Sequence, residues 1–337
     1  MGSVIPLKKQ TSNSYTELRN LVEDKLGQVN ELIKYKLASE INLIHKMIRY
    51  HLESGGKRIR PLLTLASAKL CGYSSGNRDI NLAACVELIH SATLLHDDVI
   101  DNSDLRRGIK TSNSIWGNQS SILVGDYLLS RCFEMMVEDG NLEILKLLSS
   151  TSSTIAQGEV LQLEYKGEVD ILEETYLKII NSKTASLFSA ATRVGACLTN
   201  RSKKEKDALE SYGRNLGLAF QIADDTLDYY STKKIFGKEI GKDFFEGKVT
   251  LPIIFVYQKA NLLERNFLEK VFKKKKRSEI EFNEIQNMIK KYDTITTCFK
   301  HAEHFVNISY NALSIFSPTK EKAILQDLTS YSLIRPF

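Results

Sequence analysis

Two clusters of aspartates with identical spacing are the residues of this sequence best suited to chemistry. Residues four apart lie on one face of an α-helix, so the first and last carboxylates of each cluster would repel each other there. Bound cations would offset this repulsion, and two such clusters indicate a polyanion held between them. Carboxylate oxygens without cysteine or paired histidine favour Mg²⁺ over zinc. Both clusters have the form D-D-x-x-D, and their members are Asp97, Asp98 and Asp101, then Asp224, Asp225 and Asp228.

Basic side chains elsewhere in the chain could bind an anion directly. In the segment GGKRIRP at 55–61, Pro61 predicts the first turn of a helix, where free backbone N–H groups favour anions. The glycine spacing is not that of a Walker P-loop. Each basic or polar candidate alone is more simply a solvated surface residue, but together with the carboxylates they suggest two anion sites, one bridged by metal. The candidates are Lys57, Arg58, Arg60, Arg106, Arg107, Lys183, Thr184, Lys238 and Lys248.

The face of the helix predicted over 79–101 suggests a cavity wall. Asp97 shares this face with Thr93 one turn earlier and with His90 two turns earlier. In the second aspartate helix, Gln221 lies one turn before the cluster. A lone histidine such as His90 is more often a core residue. Carboxylates above small or apolar residues nevertheless fit a metal site at the mouth of an apolar cavity.

Composition predicts an all-α protein. Of the 337 residues, 42% are hydrophobic and 26% are charged, and only five are proline, which favours long helices. No shift in composition marks a linker, so we expect one domain over 1–337, with residues 1–40 unassigned. Beyond a periodic stretch at 15–53, the sequence predicts helices at 60–70, 79–101, 117–138, 141–165, 172–198, 203–230, 249–260, 264–275, 279–292, 294–313 and 319–332, with a polar loop at 102–113.

The net charge and the cysteines indicate where the protein is located and what it could bind. The net charge of +5 decides little, and the basic run at 273–277 fits a solvated turn better than a nucleic-acid or membrane contact. The five cysteines form no CxxC pair, so we expect reduced, buried thiols in a cytoplasmic protein. The N-terminus lacks the apolar core of a signal peptide, and no apolar run reaches the ~18 residues of a membrane span.

Several motifs in order resemble the trans-prenyltransferases, the polyprenyl diphosphate synthases. The resemblance runs from about residue 40 to the C-terminus. It implies the all-α isoprenoid-synthase fold, with helices around a central cavity, and a homodimer. The motifs are GGKRIRP at 55–61, ELIHSATLLHDDVID at 87–101, DLRRG at 104–108, GDYLLS at 125–130, QGEVLQLE at 157–164, KTASLF at 183–188, GLAFQIADDTLDYYS at 217–231 and GKEIGKDFFEGKVTLP at 237–252.

The same resemblance implies a role for each matching residue. The outer aspartates Asp97, Asp101, Asp224 and Asp228 would bind a Mg²⁺ cluster that holds the allylic diphosphate, and Asp98 and Asp225 would support it. Contacts to that diphosphate would come from Arg106, Lys183, Thr184, Gln221, Lys238 and Lys248. Contacts to isopentenyl diphosphate would come from Lys57, Arg60, His90 and Arg107.

The reaction implied is repeated chain elongation. Mg²⁺ and lysine neutralise the leaving diphosphate, the allylic C–O bond ionises, and the isopentenyl double bond attacks the cation. Loss of a proton restores a double bond, and the product becomes the next allylic substrate. Water must be excluded, and the segment 231–250 is the candidate lid. Peripheral contact with a membrane during product release stays open, and a nucleic-acid partner is not expected.

Small residues before the first cluster point to a long-chain product. In the resembling family, bulky aromatics four and five residues before the cluster stop growth early, whereas this chain has Thr93 and Ala92. The tunnel floor would lie deeper, at Phe133, Met136 or Val86, although Phe133 could equally be a core aromatic. The expectation is an octaprenyl-like product from a starter such as farnesyl diphosphate. The alternatives are a farnesyl or geranylgeranyl synthase, a terpene cyclase, a non-catalytic subunit of a heteromeric synthase, and a metal- or lipid-binding protein without catalysis.

Overall fold

The computed structural model describes residues 11–230 and 240–333, and most of them are helical. Apart from one two-stranded hairpin, the regular elements in these ranges are helices. They are α1 (Thr11–Leu21), α2 (Glu23–Lys36), α3 (Asn42–Glu53), α4 (Ile59–Leu70), α5 (Arg78–Ile100), β1 (Leu105–Arg106), β2 (Ile109–Lys110), α6 (Ser112–Trp116), α7 (Asn118–Asp139), α8 (Leu142–Glu164), α9 (Glu173–Ile180), a π-helical turn (Asn181–Ala185), α10 (Ser186–Leu198), α11 (Lys203–Tyr230), α12 (Lys242–Glu246), α13 (Leu251–Lys259), α14 (Leu262–Phe272), α15 (Glu279–Tyr292), α16 (Thr294–Ala312), a 3₁₀ turn (Leu313–Ile315) and α17 (Lys320–Tyr331).

The helices predicted from periodicity are confirmed in most places, with three corrections. The stretch 15–53 contains breaks at Val22, which has a non-helical backbone, and between α2 and α3. The loop predicted at 102–113 holds an antiparallel hairpin in which Arg106 pairs with Ile109, followed by the start of α6. The helix predicted over 172–198 is interrupted by the π-helical turn.

The core sits around α5, α10 and α11. From Ile80 to Leu95, α5 is buried on nearly every side, which is typical of a central helix. Small residues let α10 approach its neighbours: a Cβ on Gly195 would lie 2.5 Å from the backbone of α4, and one on Gly213 would lie 2.4 Å from the carbonyl oxygen of Phe188. These close contacts hold α4 and the aspartate-bearing α11 against α10.

Two general expectations can be compared with the fold. All five cysteines are buried and free, as predicted. Within the described ranges, no helix combines the length and the apolar character needed to cross a bilayer.

Candidate active site

The first aspartate cluster lies at the C-terminal end of α5. Its central member, Asp98, is buried and accepts hydrogen bonds from Nε and Nη2 of Arg106 at 3.0 and 2.8 Å. The hairpin after α5 makes this possible, because it turns Arg106 back towards the helix. Asp97 and Asp101 are only partly buried. The central carboxylate is therefore tied to the protein, while the outer two face a partly open space.

The second cluster, near the end of α11, repeats this division. Asp225 is buried and accepts hydrogen bonds from Oη of Tyr176 and Nε2 of Gln221, both at 2.7 Å. Oε1 of the Gln221 side chain accepts in turn a hydrogen bond from Oγ1 of Thr184 at 2.8 Å. Asp228 accepts the backbone N–H of Asp243 at 2.9 Å. The segment after α11 is thereby anchored on the outer carboxylate.

That segment joins the two clusters. Nζ of Lys248 lies 2.7 Å from Asp101 and 2.8 Å from Glu246. Nζ of Lys242 donates to Oγ of Ser103, just beyond the first cluster, at 3.0 Å. Residues that follow the second cluster thus contact the first, so the structure brings the two clusters together as the sequence suggested.

Lys183 and Thr184 lie in the π-helical turn between α9 and α10. Such turns occur frequently at functional sites, because the extra residue redirects side chains. Nζ of Lys183 lies 2.6 Å from Glu159 and 2.5 Å from the amide oxygen of Gln162, both on α8. Gly158 permits the approach, since a Cβ there would lie 3.0 Å from the Lys183 backbone nitrogen. The turn therefore places a lysine beside a carboxylate that the sequence analysis did not single out.

Burial raises the pKa values of several carboxylates in this region, and neighbouring carboxylates add to the effect. Burial, followed by the charge of Glu159, raises the pKa of Asp97 to about 7. Burial raises the pKa of Asp225 to about 7 as well, against the hydrogen bonds from Tyr176 and Gln221. Burial, then Asp228 and Asp225, raises the pKa of Asp243 well above its usual range.

The pKa of Asp101 is shifted in the opposite direction from that of Asp97. Although burial acts to raise its pKa, the ion pair with Lys248 lowers it below the usual value. The same pairing, with Glu246 and Asp243 nearby, raises the pKa of Lys248 despite burial. Lys248 is therefore firmly charged.

The donor set suits a hard divalent cation. Among the described residues, no group of three or more His, Cys, Asp or Glu side chains is already arranged as a metal cage. Mg²⁺ needs no such cage, because it is typically held by one or two carboxylates, with water and substrate phosphates completing its shell. Burial is the first cause of the raised pKa values of Asp97 and Asp225, although the charges of Lys183 and Lys248 act to lower that of Asp97. The carboxylate oxygens of the two clusters are donors that fit Mg²⁺.

A second, basic group surrounds the loop between α3 and α4. The Arg60 guanidinium lies 4.6 Å from the ring centroid of Phe188. Arg107, after the first cluster, donates through Nη1 to the carbonyl of Gly55, and Nζ of Lys57 donates to Oη of Tyr331 at 2.6 Å. Arg58 is paired with Glu87. Residues from five separate segments thus come together around these basic side chains.

Two histidines belong to this basic group. Burial, then the charge of Arg60 and other basic groups, lowers the pKa of His90 well below its usual range. Burial, then Arg58, Arg106 and Arg107, lowers the pKa of His51 to about 4. Both imidazoles are neutral at neutral pH, and an anion bound here would offset the repulsion among the cations.

The residues predicted to set chain length differ in exposure. Ala92 is fully buried, with 0% of its surface exposed. Thr93 is partly accessible, and its Oγ1 donates to the carbonyl of His90 at 2.8 Å. Val86 and Met136 are buried, whereas 43% of the Phe133 surface is exposed. The interpretation of Phe133 as a core aromatic is therefore wrong.

Some site predictions fall outside the described residues, and other residues were missed. Lys238 and the first part of the predicted lid, 231–239, are not described, whereas 240–250 forms a turn and α12. Several missed carboxylates stood within motifs already noted and could have been found there as acidic residues near the clusters. Tyr176 and His51 carried no such signal. The missed residues are Glu159, Asp243, Glu246, Tyr176, His51, Tyr15 and Tyr331.

Comparison with known proteins gives consistent matches. Residues 41–289 match the polyprenyl synthetase family. The chain is 44% identical over 238 residues to octaprenyl diphosphate synthase of Escherichia coli, an alignment covering 71% of this chain and 73% of that protein. The fold is similar to a decaprenyl diphosphate synthase from Rhodobacter capsulatus (TM-score 0.91, 39% identity, 95% of this chain and 98% of that one). It is also similar to a Caulobacter crescentus polyprenyl synthase solved with calcium and isoprenyl diphosphate (TM-score 0.91, 38% identity, 96% and 98%).

These matches confirm the fold class and the reaction class expected from the motifs. The structural alignments cover so much of the chain that they include part of residues 1–40, which the sequence left unassigned. The architecture is the all-α isoprenoid-synthase fold. The substrates implied are prenyl diphosphates. The chain belongs to the polyprenyl synthetase family and is a prenyltransferase, a long-chain trans-polyprenyl diphosphate synthase.

Proposed function

We propose that this chain extends an allylic diphosphate such as farnesyl diphosphate with isopentenyl diphosphate, in a Mg²⁺-dependent reaction, to a product of about octaprenyl length. The observation that carries the proposal is the separation of two anion-binding groups. One contains the acidic clusters with Lys183 and Lys248, and the other contains basic residues around Lys57 with little acidic charge. Two such groups suit two different diphosphates, one bound through metal and one bound directly.

In the acidic group, Asp97, Asp101, Asp224 and Asp228 would hold the metal. When bound, Mg²⁺ would neutralise charge on the leaving diphosphate, as calcium accompanies isoprenyl diphosphate in the Caulobacter crescentus structure. Asp98 and Asp225 keep the helix ends and the neighbouring side chains in position through their hydrogen bonds.

The lysines and Thr184 complete the allylic site. Lys183 and Lys248 lie against carboxylates and can move their ammonium groups to a phosphate oxygen when one arrives. The Thr184 hydroxyl and the Gln221 amide form one connected pair beside Asp225. Arg106 supports Asp98 and contacts the same diphosphate, and Lys238 is proposed for that role from its position in the motif alone.

In the basic group, Lys57, Arg60, His90 and Arg107 would bind the diphosphate of isopentenyl diphosphate. Arginine can bind phosphate oxygens with two parallel N–H donors, whereas lysine acts as a point charge. Neutral His90 can donate one hydrogen bond without adding to the cationic repulsion. These residues orient the isopentenyl double bond towards the carbon from which the allylic diphosphate departs.

Product length is the finer part of the proposal. Thr93 is small and partly accessible, so no aromatic ring blocks the path one turn below the first cluster, and the small Ala92 beside it is fully buried. Val86 and Met136 lie deeper and are the candidate floor. Phe133 remains a candidate only if another copy of the chain covers it. Short-chain synthesis, a non-catalytic subunit and binding without turnover are the alternatives that product analysis separates.

We further propose a single helical domain that acts as a homodimer. On α7, Ile122, Phe133 and Val137 lie on one face and expose between 42% and 66% of their surfaces. Exposed apolar residues that share one face of a helix can form a protein interface. Substituting Val137 with Glu should shift the purified protein towards monomer in light scattering.

The buried free cysteines fit a reducing compartment, and a cytoplasmic location stays a prediction.

The decisive experiment is product sizing. The purified chain is incubated with labelled isopentenyl diphosphate, farnesyl diphosphate and Mg²⁺, and the product is dephosphorylated and separated by length. A long-chain product that depends on Mg²⁺ supports the proposal. A product no longer than geranylgeranyl diphosphate supports the short-chain alternative, and absence of turnover with retained substrate binding supports the non-catalytic ones.

A further inference from the structure

Two tyrosines from opposite ends of the chain meet at Lys57. Tyr15, on α1, donates from Oη to the carbonyl oxygen of Lys57 at 2.8 Å. Tyr331, the last residue of α17, accepts from Nζ of Lys57 at 2.6 Å. The two rings stack on each other with centroids 5.7 Å apart and an angle of 19° between their planes. One tyrosine therefore holds the main chain of Lys57 and the other holds its side chain.

The contact with Tyr331 is a hydrogen bond rather than a cation–π interaction. Nζ of Lys57 lies 5.1 Å from the ring centroid, which places it beyond the hydroxyl group and not above the ring face. An ammonium group has three N–H donors, so one phenolic acceptor does not prevent the same nitrogen from binding a phosphate. A lysine side chain loses rotamer entropy when it is immobilised. Holding Nζ in place beforehand reduces what substrate binding must offset.

The tyrosines are themselves rigidly supported. Leu18 on α1 is fully buried, Tyr331 is 4% exposed, and both belong to the main hydrophobic core together with Leu328. The loop that carries Lys57 contains Gly55 with φ of 76° and Arg58 with φ of 49°. Such a loop does not fix a side chain by regular secondary structure, and the hydrogen bonds with α1 and α17 supply support of another kind.

We infer that Tyr15 and Tyr331 are positioning residues for Lys57, so that the first and last described helices form part of the isopentenyl diphosphate site. The inference rests on the proposed role of Lys57. It gives α1, within the segment that sequence analysis left unassigned, a specific task in substrate binding.

The test compares Tyr331→Phe and Tyr15→Phe with the wild type in the full chain. Initial rates are measured with isopentenyl diphosphate varied at saturating farnesyl diphosphate and Mg²⁺, and then with the two substrates exchanged. One hydrogen bond contributes about 0.5–1.5 kcal/mol. Tyr331→Phe should therefore raise the KM for isopentenyl diphosphate roughly 2- to 12-fold, with kcat and the KM for farnesyl diphosphate little changed.

Tyr212→Phe is the matched control. Its hydroxyl donates to the carbonyl of Leu325 on α17 at 2.7 Å and does not contact Lys57. If a mere displacement of α17 explained the result, Tyr212→Phe would raise the same KM, and the inference would be wrong. Thermal melting of each variant identifies loss of folding, and Tyr15→Phe, which keeps the bond from Nζ of Lys57 to Tyr331, provides a second test.

A double-mutant cycle with Lys57→Ala separates the proposed role of Tyr331 from the proposed role of Lys57. Tyr331→Phe should have no further effect on KM when Lys57 is already alanine, because the tyrosine acts through that lysine. Equal effects in both backgrounds would overturn the inference. If Lys57→Ala leaves the KM for isopentenyl diphosphate unchanged, the proposed role of Lys57 fails and the inference with it. If Lys57→Ala raises that KM while both tyrosine variants match the wild type, the inference alone fails.

Discussion

Substituting Thr93 with Phe should shorten the product, whereas substituting Ala92 with Tyr should mainly destabilise the fold. Thr93 is partly accessible and lies four residues before Asp97, about 6 Å along the helix axis. A phenyl ring there would meet the growing chain close to the diphosphate. Ala92 has no accessible surface, so the added ring has no space to enter without moving its neighbours.

The magnitudes differ accordingly. Overpacking a filled site costs about 1–3 kcal/mol, and the melting temperature falls by about 2–4 °C for each kcal/mol in a domain of 150–250 residues. Ala92→Tyr should therefore melt several degrees lower than the wild type. Thr93→Phe loses only the hydrogen bond to the His90 carbonyl, about 0.5–1.5 kcal/mol, and the newly buried ring offsets part of that loss.

The assay combines product sizing with thermal melting. Thr93→Val keeps the size of the side chain but removes the hydroxyl, so it controls for the lost hydrogen bond. We expect the long-chain product to be replaced by short-chain products in Thr93→Phe and to be retained in Thr93→Val. The reasoning is refuted if Thr93→Phe keeps the wild-type distribution, or if Ala92→Tyr shortens the product without loss of stability.

Three further predictions concern the two anion sites. Asp97→Ala and Asp224→Ala should each lower kcat by orders of magnitude and leave the circular dichroism spectrum unchanged. Asp24→Ala, at an exposed position, serves as the control. Near-normal turnover in either cluster variant would remove the metal assignment. Lys57→Ala should raise the KM for isopentenyl diphosphate more than the KM for farnesyl diphosphate, and the reverse order in steady-state kinetics would exchange the two sites. The pKa values of Asp97 and Asp225 are raised to about 7, so the metal-free protein should lose stability as pH rises from about 4 through 7, because the folded state then binds more protons than the unfolded state. Mg²⁺ should therefore raise the melting temperature more above this pH window than below it, and an equal increase on both sides would contradict the electrostatic argument.

The long helices could be predicted from the sequence because their signals are local. For α5, the predicted range 79–101 differs from Arg78–Ile100 by one residue at each end. The break between α1 and α2 was not predicted, since the apolar stripe continues through Val22 without glycine or proline. The π-helical turn at Lys183 was missed for a related reason. It depends on the close approach of Gly158 on another helix, which no local pattern reports.

The site was predictable in its residue types and less so in its contacts. The aspartates and basic residues could be recognised because a charged side chain in an apolar helix is unfavourable unless it has a partner or a ligand. Their partners were hidden by sequence distance: Tyr176 is 49 residues from Asp225, and Tyr331 is 274 residues from Lys57. A single sequence does not show which tyrosines will meet a charged group, because a tyrosine in a core helix fits packing equally well.

The two D-D-x-x-D motifs therefore differ in the groups that hold their central carboxylates. Asp98 is held by the guanidinium of Arg106, a permanent cation that balances a buried carboxylate. Asp225 is held by a phenol and an amide, which are neutral donors, and burial still raises its pKa to about 7. Neutral donors stabilise a carboxylate less than a cation does. The ionised form of Asp225 would consequently be favoured by the positive charge that a bound metal supplies.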